Sequence, residues 1–327
     1  MILSDDQKNK YLRIGEYIDK SANILVVTHQ YPDGDAVGSL VAMMEYLYIK
    51  GKQHTIFVDN GIQESFPFFK NSYKMTTDEK SLEKNNFDLA IVLDCSSLDY
   101  IGIKNYFMNE SCCLCKTRLI TMDHHLGNEN YGEFNLVDVY AASTSIILYK
   151  LFVVTKKNIT KEAATGILLG ILTDTSNFTN DATNAEAFEV AAELIGRSGR
   201  YNNIIKQVFH DKNQAILKIW GRVLSRLVKN DKLNIAYSVL LEDDIQTSGK
   251  ESLDGVSNFF NNLGDVSIAM ILKEKNDGKI RVSLRGIQKG INVLKFARFF
   301  QGGGHQKAAG FSIRGRLEKV GNYWQVV

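Results

Sequence analysis

The sequence predicts a two-domain α/β protein: a parallel sheet with helices on both faces, a helical connector, and a smaller α+β domain at the C-terminus. Three observations predict it. Short apolar runs alternate with helical patterns through the first half of the chain. From Ser143 the pattern turns helical, and from Lys232 alternating strands and a hairpin signature replace it. A length of 327 residues suits two domains, since single cores stop growing near about 250–300 residues.

Residues 23–28 (NILVVT) form a continuous apolar run, as a strand covered on both faces does. Residues 35–50 follow with apolar side chains three and four apart, the spacing of a helix. Runs at 54–58, 88–93 (DLAIVL) and 118–122 repeat the strand pattern. Helical periodicity then covers 144–154, 160–174, 184–198, 201–209 and 213–229. Asn158-Ile159-Thr160 with Glu162 reads as a helix start, and Gly199 ends a helix shortly after Arg197. Residues 213–229 read as the connector, so the expected domains are 1–212 and 230–327. In the second, 233–241 alternates as a strand, and 266–273 and 279–284 flank Asn276-Asp277-Gly278, a hairpin turn. A short helix at 292–300 leads into QGGGH, and 311–313 reads as a closing strand.

Hydrophobic residues at 44% and charged residues at 23% exclude a disordered chain. The longest mostly apolar stretch, 140–154, is broken by Lys150 and falls short of the roughly 18 residues of a membrane span. MILSDDQKNK offers no basic start before an apolar core, so no signal peptide is read and a cytoplasmic location is expected. Four cysteines exclude a disulfide scaffold. Cys112, Cys113 and Cys115 crowd into SCCLC without paired CxxC spacing and read as incidental thiols. The net charge of +2 conceals an asymmetry: residues 273–327 hold twelve Lys/Arg against three acids, +9, which leaves −7 for 1–272. A basic C-terminal region on an acidic body points to an anionic ligand. The lack of a long basic tract argues against long nucleic acid as the main substrate.

Reactive side chains gather just past the apolar runs. His29 follows ILVVT, with Asp33 and Asp35 close behind in HQYPDGDAVGS. Asp94 follows LAIVL, Asp123-His124-His125 follows RLITM, and Asp174 closes GILLGILTD. In open α/β sheets ligands bind beyond the carboxyl ends of the strands, so separate segments aim carboxylates and imidazoles at one crevice. Singly, each has a plainer explanation: Pro32-Asp33-Gly34 is a tight-turn sequence, and an Asp after a strand commonly caps a helix. Together, carboxylates near apolar strand ends repel and are costly to desolvate. Divalent cations remove that cost. A mixed oxygen and nitrogen set suits manganese, zinc or iron(II), and a carboxylate-rich one favours the harder end of that range. A pair of such ions serves phosphoryl hydrolysis, lowering the pKa of bound water and neutralising phosphate oxygens.

HQYPDGDAVGS, Asp94 in VLDCSS, Asp123-His124-His125 and Asp174 in GILTDTSNF resemble the four motifs of the DHH phosphoesterase superfamily. QGGGHQKAAGF, with SLRG at 283–286 upstream, resembles the signature of its DHH-associated C-terminal domain. The resemblance spans nearly the whole chain, and the two-domain length is similar to the nano-RNase and pAp-phosphatase branch. It implies that one cation is held by His29, Asp33 and Asp94 and another by Asp35, Asp94, His124 and Asp174, with Asp94 shared. Asp123 then orients a ligand imidazole, and His125 faces the substrate phosphate as electrostatic partner or proton donor. Gly302, Gly303 and Gly304 let backbone N–H groups approach a phosphate. Arg285 and His305 bind a phosphate or the nucleotide end.

Residues 1–212 are then the catalytic DHH domain and 230–327 the substrate-binding one. The expected cofactors are two manganese(II) ions, with magnesium, cobalt or iron(II) as substitutes. The implied activity is hydrolysis of short RNA oligonucleotides to mononucleotides, with release of phosphate from 3′-phosphoadenosine 5′-phosphate (pAp). The alternatives are a phosphodiesterase for pApA or cyclic dinucleotides and, behind it, an inorganic pyrophosphatase, whose relatives lack the GGGH domain. No membrane contact is expected, and apolar positions on the helices of 184–229 leave a homodimer open.

Overall fold

The computed structural model describes residues 3–62, 66, 75–109, 114–197, 199–210, 214–246, 256–304, 306–321 and 323–327. The chain divides into two compact units, Met1–Val208 and Phe209–Val327. The first opens with α1 (Asp5–Lys20), begun by a capping box in which Ser4 and Gln7 exchange side chain-to-backbone bonds. It continues through β1 (Asn23–Thr28), α2 (Gly34–Ile49), β2 (Gln53–Phe57), β3 (Met75–Thr76), β4 (Leu89–Leu93), α3 (Lys104–Met108), β5 (Arg118–Asp123) and β6 (Phe134–Val137). Four helices complete it: α4 (Thr144–Val154), α5 (Lys161–Asp174), α6 (Ala185–Gly196) and α7 (Tyr201–Ile204).

The six described strands pair in parallel in the order β3-β2-β1-β4-β5-β6. The chain runs outward from β1 through β2 and β3, then returns to β4 and runs outward the other way. The switch point therefore lies between β1 and β4, and a crevice opens beyond their carboxyl ends. On one face lie α2 and α4, with α5 packed against both. On the other, Leu25, Val27, Ala90 and Val92 meet Leu82, Leu98, Ile101 and Ile103. That cover comes from short 3₁₀ turns at Glu79–Lys84 and Leu98–Tyr100 and the five-residue α3. The α/β class is as expected, but the helices of the two faces are unequal. The 94–109 segment is interrupted by Ser96, Ser97, Gly102, Asn105 and Asn109, weaker helix formers, and little of it becomes helical.

Contact between α2 and α5 is unusually close. A Cβ on Gly38 would lie 2.2 Å from the Gly166 carbonyl oxygen, and one on Gly166 would lie 2.8 Å from that of Gly38. Only glycine permits this backbone-on-backbone approach. No helix among the described residues is long and apolar enough to cross a membrane.

The second unit contains α8 (Gln214–Ser225), β7 (Val228–Asn230), β8 (Ile235–Leu240), α9 (Glu242–Gln246), α10 (Val256–Phe259), β9 (Ile268–Lys275) and β10 (Lys279–Gly286). After these come α11 (Val293–Phe299), β11 (Gly303–Gly304), β12 (Ala308–Arg314) and a separate hairpin, β13 (Leu317–Val320) with β14 (Tyr323–Val326). Its sheet has the order β11-β12-β10-β9-β8-β7, mixed because β8 and β9 run parallel. The expected Asn276-Asp277-Gly278 turn joins β9 to β10, with Gly278 at φ 70. Val293 and Ala297 of α11 fill one face of this sheet, and Ile219 and Val223 of α8 fill the other. The 213–229 connector thus differs from its sequence reading. Its helix ends at Ser225, its apolar side belongs to the second core, and Val228 opens β7, pairing with Tyr237 of β8.

Candidate metal centre

The switch point fixes where each reactive residue emerges. The hydroxyl of Thr28, the last residue of β1, donates to the Leu93 carbonyl at 2.9 Å and ties the two strand ends together. His29 follows, its Nδ1 2.8 Å from the Gln30 carbonyl oxygen. A carbonyl only accepts, so the proton sits on Nδ1 and the Nε2 lone pair is left for a ligand. That Nε2 lies 3.8 Å from Asp94 Oδ2. Asp33 caps α2, its Oδ1 accepting from the Asp35 and Ala36 amides at 3.0 and 3.1 Å.

Asp35 is wholly buried. The N-terminus of α4 receives it: Thr144 N donates to Oδ2 at 2.6 Å, and Ser145 donates to Oδ1 through N at 3.0 Å and Oγ at 2.6 Å. Ser39 Oγ lies 3.1 Å from Ser145 Oγ, supporting the same contact. Asp94, in the left-handed region at φ 54, accepts from Thr144 Oγ1 at 2.9 Å. His124 Nδ1 lies 3.3 Å from the Ala141 carbonyl oxygen, while its Nε2 lies 3.1 Å from Asp174 Oδ2 and 3.7 Å from Asp94 Oδ1. Asp174 is the last residue of α5, carried here by the close crossing of that helix with α2.

Three overlapping sets of donors have ligand atoms within 4.8 Å of one another: His29, Asp33 and Asp94; Asp35, His124 and Asp174; and Asp94, His124 and His125. Asp94 and His124 each belong to two sets. The electrostatics mark a deficit of positive charge. Burial, reinforced by neighbouring acids, pushes Asp35 up to about 7 and Asp94 and Asp174 each up to about 6. Burial opposes charge on the histidines, yet Asp174 holds His124 well above its ordinary value. His125 is likewise raised to about 9, chiefly by Asp123. Crowded oxygens and imidazole nitrogens with too little cation among them fit a divalent metal.

All six residues expected to hold metal are brought together here. Asp123 departs from its expected contact. Its Oδ1 accepts from His125 Nδ1 at 2.6 Å and its Oδ2 from Asn128 Nδ2 at 2.6 Å, so it orients His125, whereas His124 is held by the Ala141 carbonyl. Arg285 and Gly302–Gly304 lie in the second unit on β10 and at β11, and burial lowers the Arg285 guanidinium to about 10, still charged at neutral pH. His305, Cys112 and Cys113 lie outside the described residues. Thr144, Ser145 and Asn128 escaped the sequence reading. The Ser143-Thr144-Ser145 run was a visible helix-start signal that could have pointed to the first two.

Residues 23–171 match the DHH family N-terminal domain and residues 232–325 match the DHHA1 domain. The chain thus carries a DHH phosphoesterase-family domain followed by a DHHA1 domain. Among curated relatives, it is 28% identical over 295 residues to the bifunctional oligoribonuclease and PAP phosphatase NrnA of Bacillus subtilis, across 89% of each chain. The cyclic-di-AMP phosphodiesterase GdpP of the same organism is 20% identical, across 93% of this chain but 48% of its own length. Among solved structures, an exopolyphosphatase-related protein from Bacteroides fragilis shares the fold, with a TM-score of 0.83 and 24% identity over 93% of this chain and 91% of that one.

Proposed function

We propose that this protein hydrolyses short RNA oligonucleotides to mononucleotides, and pAp to AMP, with two divalent cations, manganese(II) first. The observation that carries the reading is the pair of donor sets, His29/Asp33/Asp94 and Asp35/His124/Asp174, in a chain similar to NrnA along nearly its full length. The first set would hold one ion, and the second, with Asp94 shared, the other. Bound there, the ions would supply activation of the attacking water and neutralisation of phosphate charge. The chain's own residues do the rest. His125, its Nδ1 held by Asp123, keeps a proton on Nε2 at neutral pH and gives it to the departing ribose oxygen. Arg285 binds a phosphate through its forked guanidinium. Gly302, Gly303 and Gly304 admit a phosphate to the backbone N–H groups, with His305 beside them.

The pApA and cyclic-dinucleotide alternative is not favoured, since GdpP is the more distant relative and matches over less than half its own length. The test is a panel of pentaribonucleotide, pAp, pApA, cyclic-di-AMP and pyrophosphate on manganese-loaded protein. Turnover fastest on the first two is expected, and Asp94→Asn should lose about 100-fold or more, as groups acting in one unit do. Near-wild-type turnover by Asp94→Asn would refute the assignment.

A further inference from the structure

Along β10, Arg281, Ser283 and Arg285 point to one side of the second sheet, since alternate residues of a strand share a face. Their cross-strand partners on β12 are Ser312, Gly310 and Ala308, and Gly303 of β11 stands opposite Gly310. Across β10 and β12 the floor linking the two arginines therefore bears nothing larger than a hydroxymethyl group, with Ile271 of β9 at its other margin. Four residue steps along the strand separate the arginines, about 13 Å.

The Arg281 end opens into a cavity of about 470 Å³, bordered by Arg281, Ser312, Gly303, Gly310, Gln301 and Phe300. Phe300 walls one side, its ring stacked at 4.5 Å on Phe311. Arg281 is exposed, and among the described residues no hydrogen bond or ion pair engages its guanidinium. Its cross-strand neighbour on β9 is Lys273, a second cationic side chain at this end of the strand.

We propose that the Arg281–Ser312 end of this floor is a second phosphate subsite. It takes a nucleotide further along an oligonucleotide than the one at Arg285, and so sets a preference for oligonucleotides over pAp. The proposal rests on the oligonucleotide reading above. The guanidinium fork and the Ser312 hydroxyl donate to phosphate oxygens. Gly303 and Gly310 let the chain of phosphates lie close, and a base can rest on the Phe300 ring.

The test compares full-length wild type with Arg281→Gln and Arg281→Lys. Binding of a fluorescein-labelled pentaribonucleotide is read by anisotropy in EDTA across a salt series, and turnover of pentaribonucleotide and pAp is read with manganese. Arg281→Gln is expected to weaken binding about tenfold, the worth of one charge-assisted contact. It should also flatten the logarithmic salt dependence by about 0.7 for the one phosphate lost. Arg281→Lys recovers part of both. The ratio of kcat/KM for pentaribonucleotide to that for pAp should fall about tenfold, through KM. Binding and salt slope unchanged in Arg281→Gln, an equal loss on both substrates, or no binding by wild type overturns the subsite. Wild type that binds through Arg281 yet hydrolyses neither substrate keeps the subsite and refutes the hydrolase reading.

Discussion

Thr144 touches two acids at once, its amide on Asp35 and its hydroxyl on Asp94. Thr144→Val keeps the branched shape and removes only the hydroxyl, leaving Asp94 free to turn. Manganese affinity should fall about 10–100-fold, the usual cost of losing a group that orients a ligand. Isothermal titration of stripped protein reads this, and an affinity within error of wild type would count against the positioning role. Asp123→Asn removes the anion that raises His125, so the alkaline limb of kcat/KM should move to lower pH, because the donor loses its proton earlier. An unmoved limb would remove His125 from the proton transfer. The acids and imidazoles were legible because each follows an apolar run, as Asp94 follows LAIVL. Thr144, Ser145 and Asn128 were not, because their role depends on which carboxylates the folded chain brings to them.

The approach of α2 to α5 sets the spacing of Asp35 and Asp174. Gly38→Ala or Gly166→Ala should cost about 1–3 kcal/mol, because the added methyl meets backbone that cannot yield. Urea unfolding measures it, and an unchanged midpoint would contradict the geometry. Gly170→Ala should act on the centre itself, since its Cβ would fall 2.3 Å from Asp35 Oδ1. The long elements were readable from period alone: α4, α5 and β1 lie where their patterns place them. Others were hidden for stated reasons. In α1 the polar residues outnumber the buried four, Tyr11, Ile14, Gly15 and Ile18, so its signal lay in the Ser4–Gln7 capping box. Strands β3, β7 and β11 have two or three residues, too few to show a period. The β13–β14 hairpin alternates mostly exposed side chains, so hydrophobicity does not mark it.

For the whole molecule, the raised groups make stability a function of pH and metal together. Asp35, Asp94 and Asp174 hold protons more tightly in the folded chain, so the native state binds more of them from about pH 4 upward and loses stability as pH rises through that range. His124 and His125 contribute stability fully below the ordinary histidine value, and lose it as pH rises through their raised folded values. Both sets act in one direction. EDTA-treated protein should therefore melt lower at about pH 8.5 than at about pH 6, while metal ligands bind best deprotonated. Manganese at one fixed concentration, 100 times its Kd at about pH 6, should add about 2.7 kcal/mol there and more at about pH 8.5, where deprotonated ligands lower the Kd. Calorimetry at both values decides it; a gain independent of pH would mean that the ions bind elsewhere.

Where Gly38 meets Gly166 there is no layer of side chains to shear across, so the two helices travel as one body. Asp35 and Asp174, anchored near neighbouring ends of that body, should keep their separation as ions come and go. Loading is then a matter of filling a rigid mould rather than closing a soft one, and manganese should slow amide exchange by the same factor in both helices.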